Sequence, residues 1–108
     1  MTEFQLTTTT DHAQTHVLVT GELDLVSAPE LERELQHILL AATSDVVLDL
    51  RGVTFIDSSG LRVVLVGSRD ARAAGRRFVV LAGEGQVRRV IDMAQVADHL
   101  ELDDEVAG

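Results

Sequence analysis

Residues 45–61 read DVVLDLRGVTFIDSSGL, and two unlike patterns meet inside that stretch. From Asp45 to Leu50 the apolar residues Val46, Val47 and Leu48 follow one another almost without a break, which suits a strand covered on both faces. After Phe55 and Ile56, the run Asp57, Ser58, Ser59, Gly60 supplies helix-capping side chains, and Leu61, Val64, Leu65 and Ser68 recur at the spacing of one helical face. The pattern predicts a buried central strand followed by a helix that runs to about Ala74, where Gly75 closes it. Arg69, Arg72, Arg76 and Arg77 fall at the end of this helix, where the dipole favours positive charge.

Working outward, Ser27 and Glu30 match a capping box, Pro29 suits a first helical turn, and Leu31, Leu35, Ile38 and Leu39 recur at helical spacing. A helix over Ala28–Ala42 follows. Before it, Phe4, Leu6 and Thr8 alternate with polar neighbours, and His16 to Thr20 resumes a strand pattern after Asp11–Gln14, so the chain is expected to open with a hairpin. Downstream, Phe78–Ala82 reads as another buried strand, Gly83–Gly85 as a turn, Val87, Val90, Ile91 and Met93 as a short helix, and Val96–Leu102 as an edge strand. Strands that alternate with amphipathic helices must bury each apolar face against a neighbour. The fold class is α/β: one domain over residues 1–108, a mixed sheet of four to five strands packed against about four helices.

Composition narrows the chemistry. The 108 residues carry 18 acidic and nine basic side chains, for a net charge of −9, and every basic one is Arg. Such a field repels phosphate backbones and anionic lipid surfaces, and Phe4, Phe55 and Phe78 make no stacking platform, so neither nucleic acid nor membrane is an expected partner. Absence of lysine removes the Walker phosphate loop and Schiff-base chemistry. Absence of cysteine removes disulfides, thiolate metal sites and a thiol nucleophile. No apolar run approaches the roughly 20 residues that span a bilayer. Glu3 and the threonines of the N-terminus do not make a secretory signal, and a cytoplasmic location is expected. No cofactor and no metal are implied.

Segment 57–60 places two hydroxyls at the start of a helix. A phosphate on Ser58 would bring about −1.5 to −2 charges to a place where unpaired N–H groups and the helix dipole favour anions, so the helix would survive the modification. Beside Asp57 that charge would repel a partner surface fitted to a neutral hydroxyl. From chemistry alone, plain capping by Asp57 and Ser58 is the commoner role of such residues, and spacing leaves both readings open. A serine hydrolase would pair Ser58 with His12, His16, His37 or His99, but the Gly-x-Ser-x-Gly elbow is missing. His12 and His16 are four apart in strand and turn, where that spacing gives no common helical face for a metal. Arg88 and Arg89 could clamp a phosphate, though paired arginines on a short helix are ordinarily a solvated face.

The run Asp57, Ser58, Ser59, Gly60, Leu61, together with Gly21, Glu22, Leu23, Asp24 at the close of the second predicted strand, resembles the anti-sigma factor antagonists of the STAS domain superfamily. The order of predicted elements resembles that family over nearly the whole chain. The resemblance implies that Ser58 is the phosphoacceptor, with Ser59 a minor alternative, and that an anti-sigma factor which is itself a serine kinase delivers the phosphate from ATP. It implies a cycle in which the unphosphorylated domain binds the anti-sigma factor and frees the sigma factor, phosphorylation releases it, and a protein phosphatase restores it. The domain is then a substrate and not an enzyme. Partner contacts are expected at Asp24, Asp57, Ser59, Gly60 and Arg62: Asp57 caps the helix and positions Ser58, Gly60 leaves room for a partner backbone, and Asp24 contacts the kinase or is a solvated turn residue. Arg62 stands where the family commonly has glycine, and Glu101–Gly108 is too short for the longer closing helix often seen in relatives. The alternative within the superfamily is a scaffold or accessory subunit of a signalling complex or transporter that is not phosphoregulated.

Overall fold

The computed structural model describes residues 3–11, 13–41 and 44–103. Its elements are β1 (Gln5–Thr10), β2 (Gln14–Leu23), α1 (Ala28–Ala41), β3 (Asp45–Ile56), α2 (Ser58–Ala73), β4 (Phe78–Leu81), α3 (Gln86–Met93) and β5 (Glu101–Asp103), with a single 3₁₀ turn at Ala97–His99. The five strands lie in the order β1-β2-β3-β4-β5. The opening hairpin β1–β2 is antiparallel and every later pairing is parallel.

Three α-helices stand among the described residues where about four were expected. Gln95 adopts φ 61°, Gln95 N–H donates to Asp92 O and Val96 N–H to Ile91 O, a left-handed C-terminal closure that ends the helix. The chain then makes only the 3₁₀ turn, so the edge strand expected from Val96 starts at Glu101. Gly75, at φ 74°, closes α2 in the same manner, with Gly75 N–H on Arg72 O and Arg76 N–H on Ala71 O. The expected last residue of the first helix, Ala42, lies outside the described residues, as do His12 and the tail beyond Asp103.

Paired positions define the two faces of the sheet. Val17, Leu48 and Val80 sit side by side and belong to the main core with Leu31, Leu35 and Ile38 of α1, Leu61 and Val64 of α2, and Val87 and Ile91 of α3. The alternate positions Val47 and Val79, with Leu81, form a separate cluster of strand residues alone. The central strand is therefore buried on both faces as its sequence demands, and among the described residues no helical side chain belongs to the cluster on its second face. β3 also runs six residues past Leu50. Register shifts between Leu18 and Thr20 and between Gly21 and Glu22 bring Val53 and Ile56 back into the core, three residues apart.

Arg76 departs from the sequence expectation. It is only 7% exposed, and its guanidinium donates to Ser44 O at 2.7 Å and Leu39 O at 3.1 Å, with Ile38 O at 3.5 Å. It thus satisfies the end of α1, whose last turn carries no basic residue of its own, and not the end of α2.

Candidate functional site

The site forms where β2 and β3 end side by side, Leu23 opposite Ile56. β4 stops pairing with β3 at Asp49. Beyond that point the side-chain amide of Gln86, at the start of α3, completes the strand: it accepts from Ile56 N at 2.8 Å and donates to Ile56 O at 3.1 Å. The strand end is therefore fixed up to the residue before Asp57.

Asp57 is extended, with φ −111° and ψ −173°, and is the N-cap of α2. Its Oδ1 accepts from Ser59 N at 2.9 Å and Gly60 N at 3.1 Å, while Oδ2 accepts from Leu25 N at 3.2 Å in the loop between β2 and α1. One carboxylate thus fastens the head of α2 to the β2–α1 loop. A Cβ on Gly60 would lie 2.5 Å from Leu23 O and 2.9 Å from Ile56 Cγ1. Gly60 is buried, and the backbone for which it leaves room is the chain's own. Ser58, the first residue of α2, is exposed, and no hydrogen bond among the described residues engages its hydroxyl. Ser59 is half-buried.

The β2–α1 loop has its own internal bonding. Asp24 Oδ1 accepts from Val26 N at 3.0 Å and Ser27 N at 3.1 Å, and Ser27 Oγ donates to Glu22 O at 2.7 Å. The bond from Ser27 N–H, more than that from Val26 N–H, holds the Asp24 carboxyl below the usual carboxylate range against the opposing pull of desolvation. Ser27 therefore turns back toward β2, and the capping box expected with Glu30 does not form. The loop thrusts Leu25 and Val26 outward, 72% and 87% exposed. Sequence reasoning missed both. Their one signal was two apolar residues falling before the Leu31, Leu35, Ile38 stripe of α1 and outside its spacing.

Beside Ser59 a groove of about 150 Å³ is lined by Leu25, Pro29, Glu32, Arg62 and Val63, among others. Arg62 faces Glu32 of α1 across 3.6 Å, with the Arg62 side chain 69% exposed. Asp24, Asp57, Ser58, Ser59 and Arg62 thus gather at one end of the molecule, with Gly60 packed beneath them. The other candidates do not join them. His16 pairs with Val47, seven residues before the Leu23–Ile56 pair, or about 23 Å back along the strand. His37 is exposed on α1, His99 lies in the 3₁₀ turn, and Arg88 is paired with Asp92 at 3.2 Å.

At the level of whole sequences, the STAS domain model matches residues 4–108. The anti-sigma-B factor antagonist of Staphylococcus aureus is 26% identical over 97 residues, 90% of each chain. An anti-sigma factor antagonist from Mycobacterium paratuberculosis superposes with a TM-score of 0.86 at 24% identity, over 96% of this chain and 88% of that one. The Bacillus cell-fate determinant SpoIIAA, solved in a phosphorylated form, gives a TM-score of 0.71 at 22% identity, over 95% and 93%. At such identities the solved structures speak for the fold.

Proposed function

The chain belongs to the STAS domain family, and on that premise we propose that it is an anti-sigma factor antagonist, holding an anti-sigma factor while Ser58 is a free hydroxyl and releasing it once Ser58 is phosphorylated. The observation that carries this reading is the setting of Ser58: exposed, unpartnered, and fastened through Asp57 to the loop that presents Leu25 and Val26. Exposed apolar side chains rimmed by polar groups mark a protein contact. A phosphate at their edge would add about −1.5 to −2 charges that the closing interface must desolvate. A chain of net charge −9 already presents an acidic field to any partner, so the added charge weighs against association.

The partner is an anti-sigma factor with serine kinase activity. In the transfer, Ser58 Oγ bonds to the γ-phosphorus of ATP as the bond to the β-phosphate oxygen breaks; ADP leaves, and the hydroxyl proton passes to a base that the kinase supplies. A phosphatase returns the phosphoryl group to water. The domain contributes the nucleophile as a substrate and performs no catalysis. Ser58 outranks Ser59 as acceptor because Ser59 is half-buried and lines the groove. Asp24 and Asp57 shape the contact surface, and Arg62 borders it. Sigma factors act where transcription occurs, so the domain works in the cytoplasm; no helix among the described residues is long and apolar enough to cross a membrane.

Calorimetric titration against the anti-sigma factors of the source organism tests the reading. Ser58→Ala should bind within about twofold of the wild type, and Ser58→Asp should bind at least about tenfold more weakly, equivalent to about 1.4 kcal/mol. Equal affinities for the two variants contradict the switch. A complex that forms only with a transporter favours the scaffold reading.

A further inference from the structure

The head of α2 does not offer a phosphate the place that helix N-termini usually provide. Anions settle there because the first N–H groups lack partners. Here Ser59 N–H and Gly60 N–H already donate to Asp57. A phosphate on Ser58 thus finds fewer free donors at its own helix end and meets the Asp57 charge as well. Asp24 and Glu32 add negative charge on the neighbouring loop and on α1.

One cation stands within reach on the same element. Arg62 follows Ser58 by four residues on α2, which places their Cβ atoms about 5–6 Å apart on one helical face, with the acidic partner first, the favourable order. No other basic residue occurs between Ser58 and Ser68. The present partner of Arg62 holds it weakly: Glu32 Oε2 is 3.6 Å away and the Arg62 side chain is 69% exposed. A phosphate offers the guanidinium a planar, two-point contact that a carboxylate at that distance does not.

We propose that Arg62 is the intramolecular receiver of a phosphate on Ser58, giving up Glu32 to bind it. The inference rests on Ser58 being the phosphorylated residue. The exchange has two consequences at the groove lined by Leu25, Pro29, Glu32 and Val63. Arg62 swings toward the phosphate and leaves the groove, and Glu32 remains there as an unpaired carboxylate. Phosphorylation thereby alters the contact surface a full helical turn from the modified oxygen, beyond what added charge at Ser58 achieves. Arg62 thus becomes part of the switch.

The test needs no kinase. Protein carrying phosphoserine at position 58, incorporated during translation, is titrated by phosphorus NMR as wild type, Arg62→Ala, Arg62→Lys and Glu32→Gln. The second ionisation of a phosphoserine lies near pH 6. It should fall about half a unit lower in the wild type than in Arg62→Ala, return most of the way in Arg62→Lys, and fall further in Glu32→Gln, where the competitor is gone. Melting curves of the unmodified variants confirm that each is folded. Coincident titrations for wild type and Arg62→Ala, or no effect of removing Glu32, overturn the proposal. Because the phosphate is installed directly, failure of any kinase to modify Ser58 counts against the function and not against this exchange.

Discussion

Asp57 gathers three backbone N–H groups, two from the first turn of α2 and one from the β2–α1 loop, and the burial of Gly60 beneath it leaves no slack in that arrangement. A methyl group at position 60 would press on Leu23 O at 2.5 Å, a backbone atom that can yield only if β2 moves. Gly60→Ala should therefore lower the unfolding free energy by about 1–3 kcal/mol with an unchanged slope in urea, read from a denaturation curve. A variant as stable as the wild type would show that the strand end gives way freely. The sequence reading singled out Asp57, Ser58 and Gly60 as candidates because their run carries capping chemistry and resembles a known family's motif. Leu25, Val26 and Gln86 escaped it, since their roles depend on which loop lies beside which, and residue spacing does not contain that. Gly60 is an intermediate case: its smallness was legible, but not whose backbone fills the space.

Elements with strong periodicity were readable and those held by distant partners were not. α1, α2 and α3 follow the 3.6-residue spacing of their buried side chains, and the glycine stop of α2 was plain. The second half of β3 was missed because Arg51, Gly52 and Thr54 break the apolar run; that stretch is held by β2 through shifted register and by Gln86. Arg76 belongs at this scale, since it caps α1 from the turn that follows α2. Arg76→Met keeps the apolar contacts of the stem but strands the carbonyls of Ser44 and Leu39. The cost should be about 2–4 kcal/mol in thermal or urea unfolding. Arg76→Lys should recover only part, because a single ammonium cannot span acceptors that a planar guanidinium reaches together. A cost under about 0.5 kcal/mol for Arg76→Met would assign the end of α1 to solvent.

At the scale of the molecule, the α/β class and the mixed five-stranded sheet follow from the alternation of the two periods along the chain, and the structure agrees. What the alternation left open was the distribution of cover. The buried apolar side chains of the helices all join one core, while the second face carries the three-residue cluster of Val47, Val79 and Leu81. The scaffold pairs the ends of β2 and β3 at one pole and leaves Ser58 of α2 and the Leu25–Val26 loop exposed there. On the proposed reading the domain changes its binding without changing its fold, because no hydrogen bond among the described residues engages the Ser58 hydroxyl.

The most direct test of that claim is the intact mass of the domain after incubation with ATP and each anti-sigma kinase of its source organism, followed by mapping of the modified peptide. The account predicts a single added phosphate on Ser58 that is absent in Ser58→Ala; modification elsewhere, or no modification by any of those kinases, would contradict it.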